Sequence, residues 1–249
     1  MIDAHCHLDD RAFNGIVPET VERAKKSGVK AVVNSSSSFG SNEKTLGLAD
    51  EYKGYVFACC GLDPVSCLKD GRKEEIAGFI RENAKKVSAI GEVGLDYHWE
   101  QRREEQIENL RFFMGLAEEL GKPLVIHTRE SMEDTLKALK KCQVPVMIHC
   151  FSGDERDASE CVDRGYMLSF NTNSCFLKGR KSLIKQVPVE YMLAETDSPY
   201  NHPDRKKLNE PANVRRVIEL IAEAKETGFD EAEKSTDSNA MKFFRIKGV

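Results

Sequence analysis

An alternation repeated along the whole chain constrains its fold more than any other feature. Short apolar runs are followed by longer segments with helical periodicity. The runs that read as strands are Ile2–His7, Val29–Asn34, Tyr55–Cys60, Ser88–Val93, Pro123–Thr128, Val144–Cys150, Tyr166–Asn171 and Tyr191–Thr196. Several are rich in Val and Ile, as parallel strands buried on both faces require. Among the intervening segments, Arg103–Leu120 puts Ile107, Leu110, Phe113, Leu116 or Ala117, and Leu120 on one face, with Gly121 and Pro123 as stop signals. Pro18–Ser27, Ser131–Lys140, Asp154–Arg164, Pro211–Thr227 and Asp230–Phe244 read as further helices, and the Ser35–Ser38 run as a loop. Eight strand–helix units in 249 residues predict an α/β fold, a (β/α)8 TIM barrel forming a single domain over residues 1–249. An open doubly wound sheet is the alternative.

The strand ends favour the barrel, because closure brings the C-terminal ends of strands far apart in sequence to one face. His5 and His7 sit at the end of the first run. Side chains alternate along a strand, so both imidazoles point one way and Cys6 the other. Glu92 ends the fourth run, where burying a carboxylate is costly unless it is paired or bound to a metal. His127 and His149 each follow three apolar residues, Leu124-Val125-Ile126 and Val146-Met147-Ile148. Asp197 follows the eighth run, where it could equally cap the Ser198-Pro199 turn. Four of the six His of the chain occupy these positions. Mixed nitrogen and oxygen donors suit a first-row divalent ion better than a thiolate site does.

Composition limits the remaining choices. The chain is 40% hydrophobic and 31% charged, as in ordinary globular proteins. Its opening, MIDAHCHLDD, has neither the basic start nor the apolar core of a signal peptide, and no apolar run reaches the roughly 18 residues of a membrane span. A cytoplasmic protein with no membrane association is expected. Its eight Cys include no C-x-x-C pair and read as small apolar side chains rather than disulfides. A net charge of −4, without a Lys/Arg run, argues against broad electrostatic binding of duplex DNA. Any nucleic-acid contact should be local and metal-centred.

Six segments carry a resemblance: Asp3–Asp10 (DAHCHLDD), Gly91–His98 (GEVGLDYH), Val125–Glu130 (VIHTRE), Ile148–Gly153 (IHCFSG), Glu195–Tyr200 (ETDSPY) and Asn209–Pro211 (NEP). In this order the chain resembles the TatD family of metal-dependent deoxyribonucleases, within the amidohydrolase-like barrels. The resemblance implies a site for up to two divalent cations (Zn, Mn, Mg or Co). One would be held by His5, His7, Glu92 and Asp197, the other by Glu92, His127 and His149, with Glu92 bridging. Glu92, where related phosphotriesterase-like barrels carry a modified Lys, points to the TatD branch. Hydrolysis by a metal-activated water follows, with Glu92 and Asp197 as catalytic carboxylates and Asp197 taking the proton.

Six further residues are candidates for substrate contact. Arg129 can clamp a phosphate or pair with Glu130 or Glu133 at the rim. Ser152-Gly153 can present backbone N–H groups or simply open a helix. His98 and Trp99 are placed at the pocket, Trp99 either stacking on a base or packing on the rim. Asp63 stands in Gly61-Leu62-Asp63-Pro64, where family members commonly carry Gly-x-His-Pro with a phosphate-binding His. As an anion it would repel phosphate, so it could instead take up a proton or bind a cationic group. The leading expectation, from the resemblance and the two-cation residue set, is a phosphodiesterase acting on single-stranded DNA ends. The alternative is hydrolysis of an ester, lactone or amide, including aminoacyl-tRNA deacylation, and the third reading is a non-enzymatic metal-binding barrel. The expected partner is DNA or another phosphodiester or ester substrate, and no protein partner is implied.

Overall fold

A computed structural model describes residues 1–202, 204 and 207–248. Eight strands, β1 (Ile2–Cys6), β2 (Ala31–Ser35), β3 (Val56–Cys60), β4 (Val87–Asp96), β5 (Leu124–Arg129), β6 (Val146–Ile148), β7 (Met167–Phe170) and β8 (Met192–Ala194), lie parallel in sequence order. Hydrogen bonds close the seam between the first and last strands. His7 N donates to Ser198 O at 2.7 Å, Asp197 N to His5 O at 2.9 Å, and Thr196 N to Asp3 Oδ1 at 2.8 Å. The result is a (β/α)8 barrel.

The outer layer comprises α1 (Val17–Lys26), α2 (Phe39–Glu51), α3 (Pro64–Asp70), α4 (Lys73–Glu82), α5 (Arg103–Leu120), α6 (Met132–Ala138), α7 (Glu155–Asp163), α8 (Arg180–Gln186), α9 (Val214–Lys225) and α10 (Phe229–Phe244). The helix expected over Arg103–Leu120 is α5 with the same limits, and Gly121 ends it at φ 60°. Strands are shorter than expected at β6 and β8 and longer at β4. The helices α2, α3, α4 and α8 were not among the expected elements. No helix of the described residues is long and apolar enough to cross a membrane.

Two apolar layers hold these elements in place. Ile2, Ala4, Val33, Val125, Met147 and Leu193 pack inside the barrel, where Phe243, Phe244 and Ile246 from the C-terminal segment plug one end. A larger layer lies between strands and helices and includes Cys6, Phe13, Phe113 and Ile218. All eight cysteines are free thiols. The opposite end of the barrel carries polar side chains and opens to solvent through a cavity of about 710 Å³.

Candidate metal centre

The strand ends deliver six donors to the floor of this cavity. His127 and His149 lie two residues beyond Val125 and Met147, both inside the barrel, so alternation turns their rings inward too. Glu92 needs more than alternation, because Ala89 already faces inward three residues earlier. The β4–β5 register shifts between Ile90 and Val93, which re-aims the intervening residues. Neighbouring strands leave no room for larger residues here: a Cβ on Gly91 would stand 2.7 Å from Val125 Cβ, and one on Gly94 would stand 1.9 Å from the His127 carbonyl oxygen. Asp197 sits just past β8 in a left-handed conformation, φ 56°.

Glu92 is the geometric centre. Its Oε2 lies 3.3 Å from His5 Nε2 and 3.6 Å from His7 Nε2. Its Oε1 lies 2.7 Å from His127 Nδ1 and 3.2 Å from His149 Nε2. Asp197 Oδ1 reaches the first pair, 3.4 Å from His7 Nε2 and 3.9 Å from His5 Nε2. Each carboxylate oxygen of Glu92 therefore faces a different pair of imidazoles.

The rings are held from outside. His7 Nδ1 donates to Ser35 O at 2.7 Å, His127 Nε2 donates to Asp96 Oδ2 at 3.1 Å, and His5 Nδ1 pairs with Ser35 Oγ at 3.2 Å. His149 Nδ1 lies 3.4 Å from Glu195 Oε1, and Glu195 is itself fixed by Cys150 N and Ser169 Oγ. The hydrogen bonds of His7 and His127 set their tautomers and turn the other nitrogen's lone pair inward, while His149 Nδ1 has Glu195 only as a charged neighbour. His5 Nε2 and His7 Nε2 are then 3.2 Å apart, and His127 Nδ1 and His149 Nε2 3.4 Å. Facing lone pairs need a cation or proton between them. These separations suit two ligands each about 2.1 Å from one ion, so the donor set fits divalent metal. Three overlapping groups, His5/His7/Glu92, Glu92/His127/His149 and His5/His149/Asp197, each gather donor atoms within 4.8 Å.

Without metal, protons fill this role. Burial pulls the His7 imidazole down, but Asp197 and Glu92 outweigh it and raise it to about 9. Burial likewise opposes protonation of His127, and Asp96 and Glu92 raise it to about 9. Burial lowers His5, and the neighbouring His149 adds to that effect. Burial alone would push the Glu92 and Asp197 carboxyls up; His149 and the surrounding imidazoles hold Glu92 well below the usual carboxylate range, and His7 holds Asp197 down.

The remaining candidates separate around the mouth. Arg129 lines the cavity with its guanidinium 5.5 Å from the Trp99 ring, and Trp99 is 68% exposed. The rim ion pairs weighed for Arg129 go elsewhere, since Glu130 meets His98 Nδ1 at 2.8 Å and Glu133 meets Lys137 at 2.6 Å. His98 is thus turned toward Glu130. Asp63 lines the cavity but also caps α3, its Oδ1 accepting from Val65 N at 3.0 Å and Ser66 N at 3.1 Å. Burial raises its carboxyl. At α7, Asp154 accepts from Arg156 N and Asp157 N, so the helix start after Ser152-Gly153 is closed by its own capping box. Sequence reasoning assigned no role to Asp96 or Glu195, although both lie within the quoted motifs. Asn201 was also missed; its Nδ2 donates to Asp197 Oδ2 at 2.7 Å.

A (β/α)8 barrel with four imidazoles and two carboxylates converging at its mouth defines the class, a metal-dependent hydrolase. Residues 2–245 match the sequence model of the TatD-related DNase family. An uncharacterized metal-dependent hydrolase from Methanocaldococcus jannaschii is 38% identical, over 98% of this chain and 96% of its own length. A deoxyribonuclease from Homo sapiens, TATDN3, is 33% identical over 98% of this chain and 94% of its own. Among solved structures, the TatD homologue YjjV of Escherichia coli superposes with a TM-score of 0.92 at 25% identity, covering 99% of this chain and 98% of that one. The chain belongs to the TatD family.

Proposed function

We propose that this protein is a phosphodiesterase that cleaves DNA, acting on single strands from their ends, with two divalent cations sharing Glu92. The observation that carries the reading is the disposition of Glu92, one oxygen toward His5 and His7 and the other toward His127 and His149. The human relative named a deoxyribonuclease supports DNA as the substrate. Divalent cations, when bound, would supply a water that ionises near neutral pH and would offset charge on the phosphoryl and leaving oxygens. His5, His7 and Asp197 would hold one position, and His127 and His149 the other. Asp197 accepts the water's proton, while Asn201 fixes the rotation of its carboxylate. Arg129 at the cavity wall steadies the phosphate. The whole chain acts as one barrel domain, and a reducing, cytoplasmic setting suits its eight free thiols.

A second reading rests on Asp63. A carboxylate lining the cavity disfavours phosphate and suits a cationic substrate group, and the same chemistry hydrolyses carbonyl esters and amides. The test is cleavage of labelled single-stranded DNA by purified protein with Mg, Mn, Co or Zn, beside a panel of carboxylic esters, lactones and amides. The nuclease reading predicts metal-dependent DNA cleavage abolished in His127→Ala. DNA turnover no higher than that variant's under every metal rejects it, and dominant carbonyl turnover selects the second reading.

A further inference from the structure

We infer that Arg11 and Lys44 form a second phosphate subsite beside the metal centre, which holds the backbone of a nucleic-acid strand next to the bond being cut. This rests on the phosphodiesterase reading above and assigns the strand a path across the mouth. A side cavity of about 280 Å³ is lined by His7, Asp9, Asp10, Arg11, Ser37 and Lys44, among others. His7 and Ser37 also line the main cavity, so the two meet beside the metal ligands.

Among the described residues neither Arg11 nor Lys44 has an ion pair or a side-chain hydrogen bond. Some exposed cations elsewhere are engaged, as in Arg23–Glu210 at 2.7 Å, Arg81–Glu119 at 2.7 Å and Lys86–Asp50 at 2.7 Å, while others, such as Lys53 and Lys140, have no ion pair among the described residues; what sets Arg11 and Lys44 apart is that both line a cavity adjoining the metal ligands. The two carboxylates of the side cavity are bound by neutral donors instead. Asp9 accepts from Asn34 Nδ2 at 2.8 Å and from Ser41 Oγ, and Asp10 from Ala12 N at 2.7 Å and Tyr200 Oη at 2.9 Å. The Asp10–Tyr200 bond ties the side cavity to Tyr200, which lines the main one. Lys69 and Arg129 line the main cavity, also without ion pairs among the described residues.

Unpaired cations lining two adjoining cavities match a ligand with successive phosphates. Arg11 is pinned close to the centre, because Asp10 caps its turn only a few residues after His7. A flexible single strand can follow this bent route, and each phosphate it places on a cation releases a counterion.

The test is equilibrium binding of a phosphorothioate single-stranded oligonucleotide and of a dinucleotide to the wild type and to Arg11→Ala/Lys44→Ala, over a salt series, by fluorescence anisotropy. Both substitutions are at exposed side chains, and circular dichroism checks the fold. The double variant should lower the ratio of oligonucleotide to dinucleotide affinity and flatten the log–log salt slope for the oligonucleotide by about 1.4, at about 0.7 per phosphate contact on a single strand. Lys44→Glu should lower the ratio further. An unchanged slope and ratio, in a wild type that binds the oligonucleotide, overturns this subsite and leaves the phosphodiesterase reading standing. A wild type that binds neither probe overturns both.

Discussion

Glu92 and the imidazoles around it hold one another's charge, and this has consequences at the scale of single residues. In the metal-free protein His7 and His127 are raised to about 9 from a usual 6.5. An imidazole raised in the fold contributes stability that is fully present below pH 6.5 and lost as the pH climbs through about 9. The melting temperature of the metal-free protein should therefore fall across that interval. Metal affinity should rise across it, because the cation displaces those protons; calorimetry in buffers of different ionisation enthalpy should record proton release on binding. Affinity that is flat between pH 6.5 and 9 contradicts the protonation pattern. Asp96 acts one bond further out, orienting His127 through Nε2 at 3.1 Å. Asp96→Asn should weaken metal binding about 10- to 100-fold with secondary structure unchanged, measured by competition with a chromophoric chelator. Strand-end position, a local property, marked all six central residues in the sequence, and alternation accounts for the inward turn of His127 and His149, whereas the aim of Glu92 depends on the β4–β5 register shift. It could not pair Asp96 with His127 or Glu195 with His149, since those contacts bridge neighbouring strands.

At the scale of elements, β4 shows both how far local pattern reaches and where it stops. The apolar run Ser88–Val93 was legible, but the strand continues to Asp96 because Gly94, Leu95 and Asp96 pair with His127, Thr128 and Arg129. Continued pairing with β5 is a tertiary effect that apolar content does not signal. Among the unforeseen helices, α2 carries Gly40 and Gly47 and only a weak apolar face, and α3 and α8 span seven residues each. Short helices of this kind are stabilised mainly by packing against the barrel. By contrast, α5 has eighteen residues and a Gly stop, and both its ends were readable. The closeness of β4 to β5 also predicts a failure. Gly94→Ala would set a Cβ 1.9 Å from the His127 carbonyl, so one strand must move. Destabilisation on the order of 4 kcal/mol, or loss of soluble protein, is expected in urea titration. A variant of native stability would contradict the close packing.

The whole molecule combines a net charge of −4 with a mouth whose two adjoining cavities are lined by Lys69, Arg129, Arg11 and Lys44. These four cations lie far apart in sequence and form no run, so only the closed barrel brings them to one end. The fold and the cluster of six strand-end side chains were therefore legible along the chain, whereas the route of a substrate was not. The departure at Asp63 was visible in sequence; its cap on α3 was not. The account as a whole depends on Glu92 standing between two cations, and anomalous diffraction from crystals grown with manganese tests that most directly. It predicts two anomalous peaks flanking the Glu92 carboxylate, one beside His5, His7 and Asp197 and the other beside His127 and His149. A single peak contacted by only one Glu92 oxygen, or peaks elsewhere with this cluster empty, would contradict it.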